Sequence, residues 1–193
     1  MNQTEFTILQ ADIILSSVTD EKQVVDVRNK IVQLDFYEHL YKSYVDARVV
    51  IMDDFGFKNS LKIQGTERIR IVIGNETNPN EPLIIKYFFF SKIIDASKVN
   101  ERAEVLSIEL VEDHVYVNAV KQISRSFESN FEDMIESILR RDLGKTVTRN
   151  NFLGSAQGVR KVVVPYLSPL EAVNWIKDRA TTRSGSPLFV HAE

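Results

Sequence analysis

The feature that most constrains this chain is a strict alternation in which Arg68, Arg70 and Val72 interleave with Ile69, Ile71 and Ile73. Successive side chains of a strand point to opposite faces, so three β-branched residues line one face and two guanidinium groups stand on the other. Leu106, Ile108 and Leu110 set against Ser107 and Glu109 repeat the pattern. Residues 11–16, 31–36, 48–52 and 83–94 are also rich in side chains that suit a pleated surface. Asp53-Asp54-Phe55-Gly56 and the Gly, Asn and Pro of residues 74–80 supply reversals between them. Six or seven strands at this spacing, ending near Glu112, predict a barrel or sandwich.

After Glu112 the period becomes helical. Ser129 with Glu132 three residues later forms a capping-box pattern, and Phe131, Met134, Ile135, Ile138 and Leu139 then make one apolar stripe. Gly144 follows as a C-terminal stop. The spacing predicts a helix over residues 131–142, and a further helix over residues 115–123. Ser168-Pro169-Leu170-Glu171 opens another, over residues 170–181, with a Ser cap, Pro in the first turn and Glu at the reciprocal position. Leu170, Val173, Trp175, Ile176 and Ala180 supply its buried side. Short strands are expected at residues 161–164 and 188–191, and a mobile loop at residues 150–158. The resulting division is a β domain over residues 1–113 and a helical and mixed lobe over residues 114–193.

Bulk numbers exclude several functions. With 24 Lys and Arg against 27 Asp and Glu, the net charge of -3 offers no general attraction to nucleic acid phosphates. There is no cysteine, hence no disulfide or thiolate metal site. Apolar runs such as residues 83–94 are broken by Lys86 and Lys92 and fall short of the roughly 20 residues of a membrane helix.

Motifs for chemistry are equally thin. His39, His114 and His191 have no second His at a metal-ligand spacing. Gly144-Lys145-Thr146 looks like the end of a phosphate loop, but Leu139 occupies the place of its first glycine. Asp53-Asp54 and Glu132-Asp133 are neighbours rather than opposed carboxylates, and no serine has the Gly-x-Ser-x-Gly setting of an exposed nucleophile. No catalytic residue, metal site or cofactor is expected. Tyr87-Phe88-Phe89-Phe90 puts two aromatics on each face of a strand, which predicts burial on one side by a core and on the other by a neighbouring subunit.

One resemblance spans nearly the whole chain. Its carriers are Tyr37-Glu38 ending one strand, Asp53 with Gly56 closing another, and Gly65-Thr66-Glu67 leading into a third. The long aromatic strand, the run Ile123-Ser124-Arg125-Ser126-Phe127 before an amphipathic helix, and Val164-Pro165-Tyr166-Leu167-Ser168-Pro169 before the next follow in order. In these the chain resembles the central baseplate hub subunit of contractile-tail phages.

The resemblance implies an α+β protein: an antiparallel β-barrel of the tail-tube type followed by a helix-rich lobe. It implies a structural virion protein, made in the host cytoplasm, in a ring that joins tail tube to central spike and lines the DNA conduit. Tyr37, Glu38, Asp53, Gly56, Gly65 and Glu67 are its family-motif structural residues. The implied partners are further copies in a homotrimer, the tail spike, and tube or tube-initiator proteins, with no specific nucleic acid and no membrane. Hubs of this kind carry two tube-like domains, of which one is found here, so a truncated hub or an N-terminal fragment is expected. The rival expectation is a tail-associated cell-wall hydrolase or carbohydrate-binding domain, whose mark would be a cleft with opposed carboxylates.

Overall fold

The computed structural model describes residues 6–15, 24–54, 56, 67–75, 82–101, 103–147, 158–182, 185–187 and 190. The chain packs as two compact units, one comprising Met1–Tyr37 and Val45–Asp113 and the other Glu38–Tyr44 and His114–Glu193.

The first unit is one antiparallel sheet of seven strands: β1 (Phe6–Ile14), β2 (Val24–Asp26), β3 (Ile31–Tyr37), β4 (Asp46–Asp53), β5 (Arg68–Asn75), β6 (Pro82–Lys98) and β7 (Glu104–Glu112). Their spatial order is β2-β1-β5-β6-β7-β4-β3. The two outermost strands are therefore consecutive in sequence, joined only by Val27 and a 3-10 turn, Arg28–Lys30. In a flat sheet six gaps of about 4.8 Å would part them by about 29 Å. Five steps of chain reach at most about 18 Å. The sheet must therefore curl, and it forms a half-barrel.

One contact spans that curl, and two more tie the turn between β2 and β3 to β1 and to the end of β4. Phe36 on β3 meets Phe88 on β6 with ring centroids 5.8 Å apart, although the strands are three gaps apart in the ladder, about 14 Å if flat. Val27 N donates to Ala11 O at 2.8 Å, and Lys30 Nζ meets Asp54 Oδ2 at 2.5 Å beyond the end of β4. The enclosed core takes Ala11, Ile13, Val49, Ile51, Ile69, Ile71, Phe88, Phe90, Leu106, Ile108 and Leu110, one face of the predicted alternation.

The alternation breaks once within β1. Ile8 faces Ile73 and Gln10 faces Val72, so Leu9 is an extra, bulged residue. The bulge changes the phase: Ile8, Ala11 and Ile13 turn to the core, while Thr7, Leu9, Gln10 and Asp12 share the outer side. Leu9 Cδ1 lies over Gly74, where a Cβ would stand 2.5 Å away and push the leucine tip aside.

The second unit contains α1 (Asp113–Val120) from its second residue on, β8 (Ile123–Ser129), α2 (Phe131–Leu143), β9 (Arg160–Leu167) and α3 (Pro169–Lys177), with β8 and β9 paired antiparallel. The helical stripes pack as their spacing requires: Phe131, Met134, Ile135, Ile138 and Leu139 meet Leu170, Val173, Ile176 and Ala180 in one core, with Val164 of β9.

Local details differ from the sequence reading. The cap of α2 is Asn130, not Ser129: its Oδ1 accepts from Asp133 N at 2.8 Å. The helix expected over residues 115–123 ends at Val120, and Ile123 opens a strand instead, because β9 supplies the pairing that the local sequence does not reveal. The helix expected over residues 170–181 stops at Lys177. At its start, Glu171 Oε2 accepts from Ser168 N at 3.0 Å and from Ser168 Oγ at 2.8 Å. Among residues 150–158 only Gly158 is described, and among residues 188–191 only Val190, so the loop and the strand expected there lie outside the described residues.

Candidate functional site

The residues that carry the resemblance do not converge. Tyr37 pairs with Asp46, Asp46 with Val111, Val111 with Phe89, and Phe89 with Arg68. Tyr37 and Arg68 thus lie on one row of the ladder, and Glu67, buried, immediately precedes that row. Asp53, also buried, closes β4 opposite Glu104. It stands seven residues along the strand from Asp46, about 24 Å at strand rise. Gly56 follows with φ 72°, a left-handed conformation that a Cβ would strain. Glu38 is exposed and belongs to the second unit, and Gly65 lies outside the described residues.

Glu112, a buried carboxylate, carries no motif in the sequence. Its Oε1 takes Lys86 Nζ at 3.1 Å, and its Oε2 accepts from Val45 N at 2.8 Å, so it secures the start of β4 from the end of β7. The charge is answered twice, as a buried carboxylate requires. Among the described residues the histidines hold no common site. His39 is exposed, His191 lies outside the described residues, and His114 is buried with Nε2–H donating to Ser43 O at 3.0 Å. That acceptor fixes the proton on Nε2. Among the described residues no three His, Asp or Glu side chains are grouped to hold a metal.

The distinctive surface is β6. It runs 17 residues, but its two ladders are offset: β5 pairs with it from Pro82 to Phe89, β7 from Phe88 to Lys98. Among the described residues, each end of β6 is paired on one side alone. Leu83, Ile84, Ile85, Tyr87, Ile93 and Ile94 are 38 to 58% exposed, and their alternation puts apolar surface on both faces. In the middle, Phe88 and Phe90 enter the core, while Phe89 is covered from the other face by the Arg68 guanidinium, 4.8 Å from its ring centroid. The aromatic run is thus divided between faces as the alternation demands, with Tyr87 left open. Among the described residues, the two ends of β6 thus combine a strand edge paired on one side with apolar side chains on both faces.

No family model and no curated protein sequence matches this chain. Solved structures with a similar path include three of note. One is a 43 kDa tail protein of prophage MuSo2 from Shewanella oneidensis, 12% identical, with 95% of this chain and 53% of that one covered and a TM-score of 0.47. Another is an Escherichia coli component of the type VI secretion system described as structurally similar to T4 bacteriophage tail proteins, 9% identical, covering 98% and 46%, with a TM-score of 0.45. The third is the Francisella PdpA-VgrG complex, 15% identical, covering 88% and 24%, with a TM-score of 0.44. The chain spans between about a quarter and a half of these proteins' length.

Proposed function

We propose that this chain is a structural component of a phage baseplate hub or of the equivalent spike base in a contractile secretion machine. In this reading it forms part of a ring that joins tube to spike and lines the conduit, and no bond is made or broken. The observation that carries the proposal is β6, whose paired sides change midway and whose projecting ends bear apolar side chains on both faces. A lone domain gains nothing by leaving such a strand in water. A ring subunit does, because closed symmetry brings a neighbouring surface to each exposed edge. The ordered motifs around Tyr37-Glu38, Asp53, Gly56 and Glu67 point the same way, and a net charge of -3 suits a conduit that must not retain DNA.

The test is incorporation. When a tagged chain is produced together with the other tail components, assembled particles should carry it, and Ile85→Lys with Tyr87→Asp should leave the chain folded while removing it from the particles. Both side chains are exposed, so folding is not at stake. Undiminished incorporation of the double variant, or release of soluble fragments from peptidoglycan by the purified chain, would overturn the reading.

A further inference from the structure

The bulge in β1 builds a cleft of about 480 Å³ on the outer side of β1, β5 and β6. Leu9, Val72 and Ile85 supply apolar walls; Arg28, Arg70 and Gln10 supply polar ones. The bulge is what puts Leu9 on the outer side next to Gln10, so without it the cleft would lose its Leu9 wall.

The arginines are the unusual part. Arg70 Nη1 donates to Gln10 Oε1 at 2.7 Å, and its buried Nε has no partner among the described residues. No carboxylate among the described residues forms an ion pair with Arg28 or Arg70, although the chain has more acids than bases. Asp12 pairs with Arg70 across the ladder, but its Oδ2 accepts from Gln10 Nε2, so the amide stands between the two charges. Asp26 accepts from Arg28 N through Oδ1, a backbone contact that leaves the guanidinium unused. Two guanidinium groups above an apolar floor recognise a carboxylate carried on an apolar body.

We propose that this cleft docks an acidic side chain from a segment of a partner protein, with an apolar neighbour of that acid seated against Leu9, Val72 and Ile85. Tyr87 pairs with Arg70, so the cleft runs directly into the exposed apolar residues of β6, and an extended segment can lie along both. A nucleic acid backbone fits worse, since it needs a row of cations and offers the apolar floor nothing. The inference rests on the assembly reading, because a partner segment presupposes a partner.

The experiment uses the full chain with nitrogen-15 arginine labelling. It is titrated with the blocked tripeptide Leu-Glu-Leu, with Leu-Gln-Leu, and with acetate. Leu-Glu-Leu should shift the Arg70 and Arg28 Nε resonances and bind at least about tenfold more tightly than Leu-Gln-Leu, the discrimination of one charge-assisted hydrogen bond. Arg28→Gln, at an exposed position, should remove that preference with the fold retained. Equal binding of the two peptides, absent shifts, or acetate binding as tightly as Leu-Glu-Leu would each overturn the proposal. If particles still incorporate the Arg28→Gln chain normally while the peptides fail, the cleft proposal falls and the hub reading stands.

Discussion

A double-mutant cycle on Phe36 and Phe88 tests whether the sheet is curled. Phe88 is fully buried and meets Phe36 at 5.8 Å and 37° between ring planes, an arrangement of aromatic rings that attracts beyond mere burial. Replacing either ring by leucine keeps an apolar side chain but removes the ring edge. Each single substitution should cost about 1 to 2 kcal/mol, less than the roughly 3–5 kcal/mol of truncating a buried Phe to Ala. The coupling between them should be about 0.5 to 1.5 kcal/mol, above the roughly 0.3–0.5 kcal/mol within which independent sites add. Urea unfolding followed by far-UV circular dichroism measures all four proteins, while fluorescence of Trp175, the single tryptophan, follows the second unit separately. In a flat sheet these strands would stand too far apart for their rings to interact. Additive single effects would therefore refute the curl, whatever the size of each.

The remaining predictions concern the second unit. Asp142 lies buried in the last turn of α2, where a negative charge opposes the helix dipole, and it is held by Arg125 Nη2 at 2.6 Å and Lys121 Nζ at 3.2 Å. Asp142→Ala should cost about 2–3 kcal/mol in urea unfolding, below the range for fully buried pairs because both cations keep some water. Gly144 closes α2 at φ 67°, and nothing stands within 4 Å of the Cβ position, so Gly144→Ala should cost about 1 kcal/mol from backbone strain alone. Hydrogen bonds from Ser168 N and then Ser168 Oγ hold the Glu171 carboxyl below its ordinary value of 4.5. A lowered folded value means stability present above 4.5 and lost as pH falls through the folded value, so thermal melts of Glu171→Gln should depend less on pH in that acidic window than those of the wild type.

What was legible in the sequence was what is local. The α2 and α3 stripes and the strands around Ile69 and Ile108 follow from periodicity, because each face is fixed by residues a few positions apart. What was missed depends on partners distant in sequence. β8 is a mostly polar strand that forms because β9, more than 30 residues on, pairs with it. β2 has only three residues and is held as an edge on β1. The cap of α2 moved one residue because Asn130 competes with Ser129 for the same amide donors, and both are good caps. Glu112 reads as the polar end of a strand until Lys86 and Val45 are brought beside it. The arginine-lined cleft needs the bulge, whose one sequence trace is the change of phase between Ile8 and the pair Ala11 and Ile13. The motif residues were readable as motifs, but the ladder puts Tyr37 and Glu67 at one end of the sheet and Asp53 at the other.

Electron cryomicroscopy of an intact tail particle tests the central claim most directly. The account predicts density for the curled sheet within a ring around the tail axis at the junction of tube and spike, with both projecting ends of β6 covered by adjacent subunits. A chain found as a peripheral appendage, with Ile85, Tyr87 and Ile94 facing solvent, would contradict it.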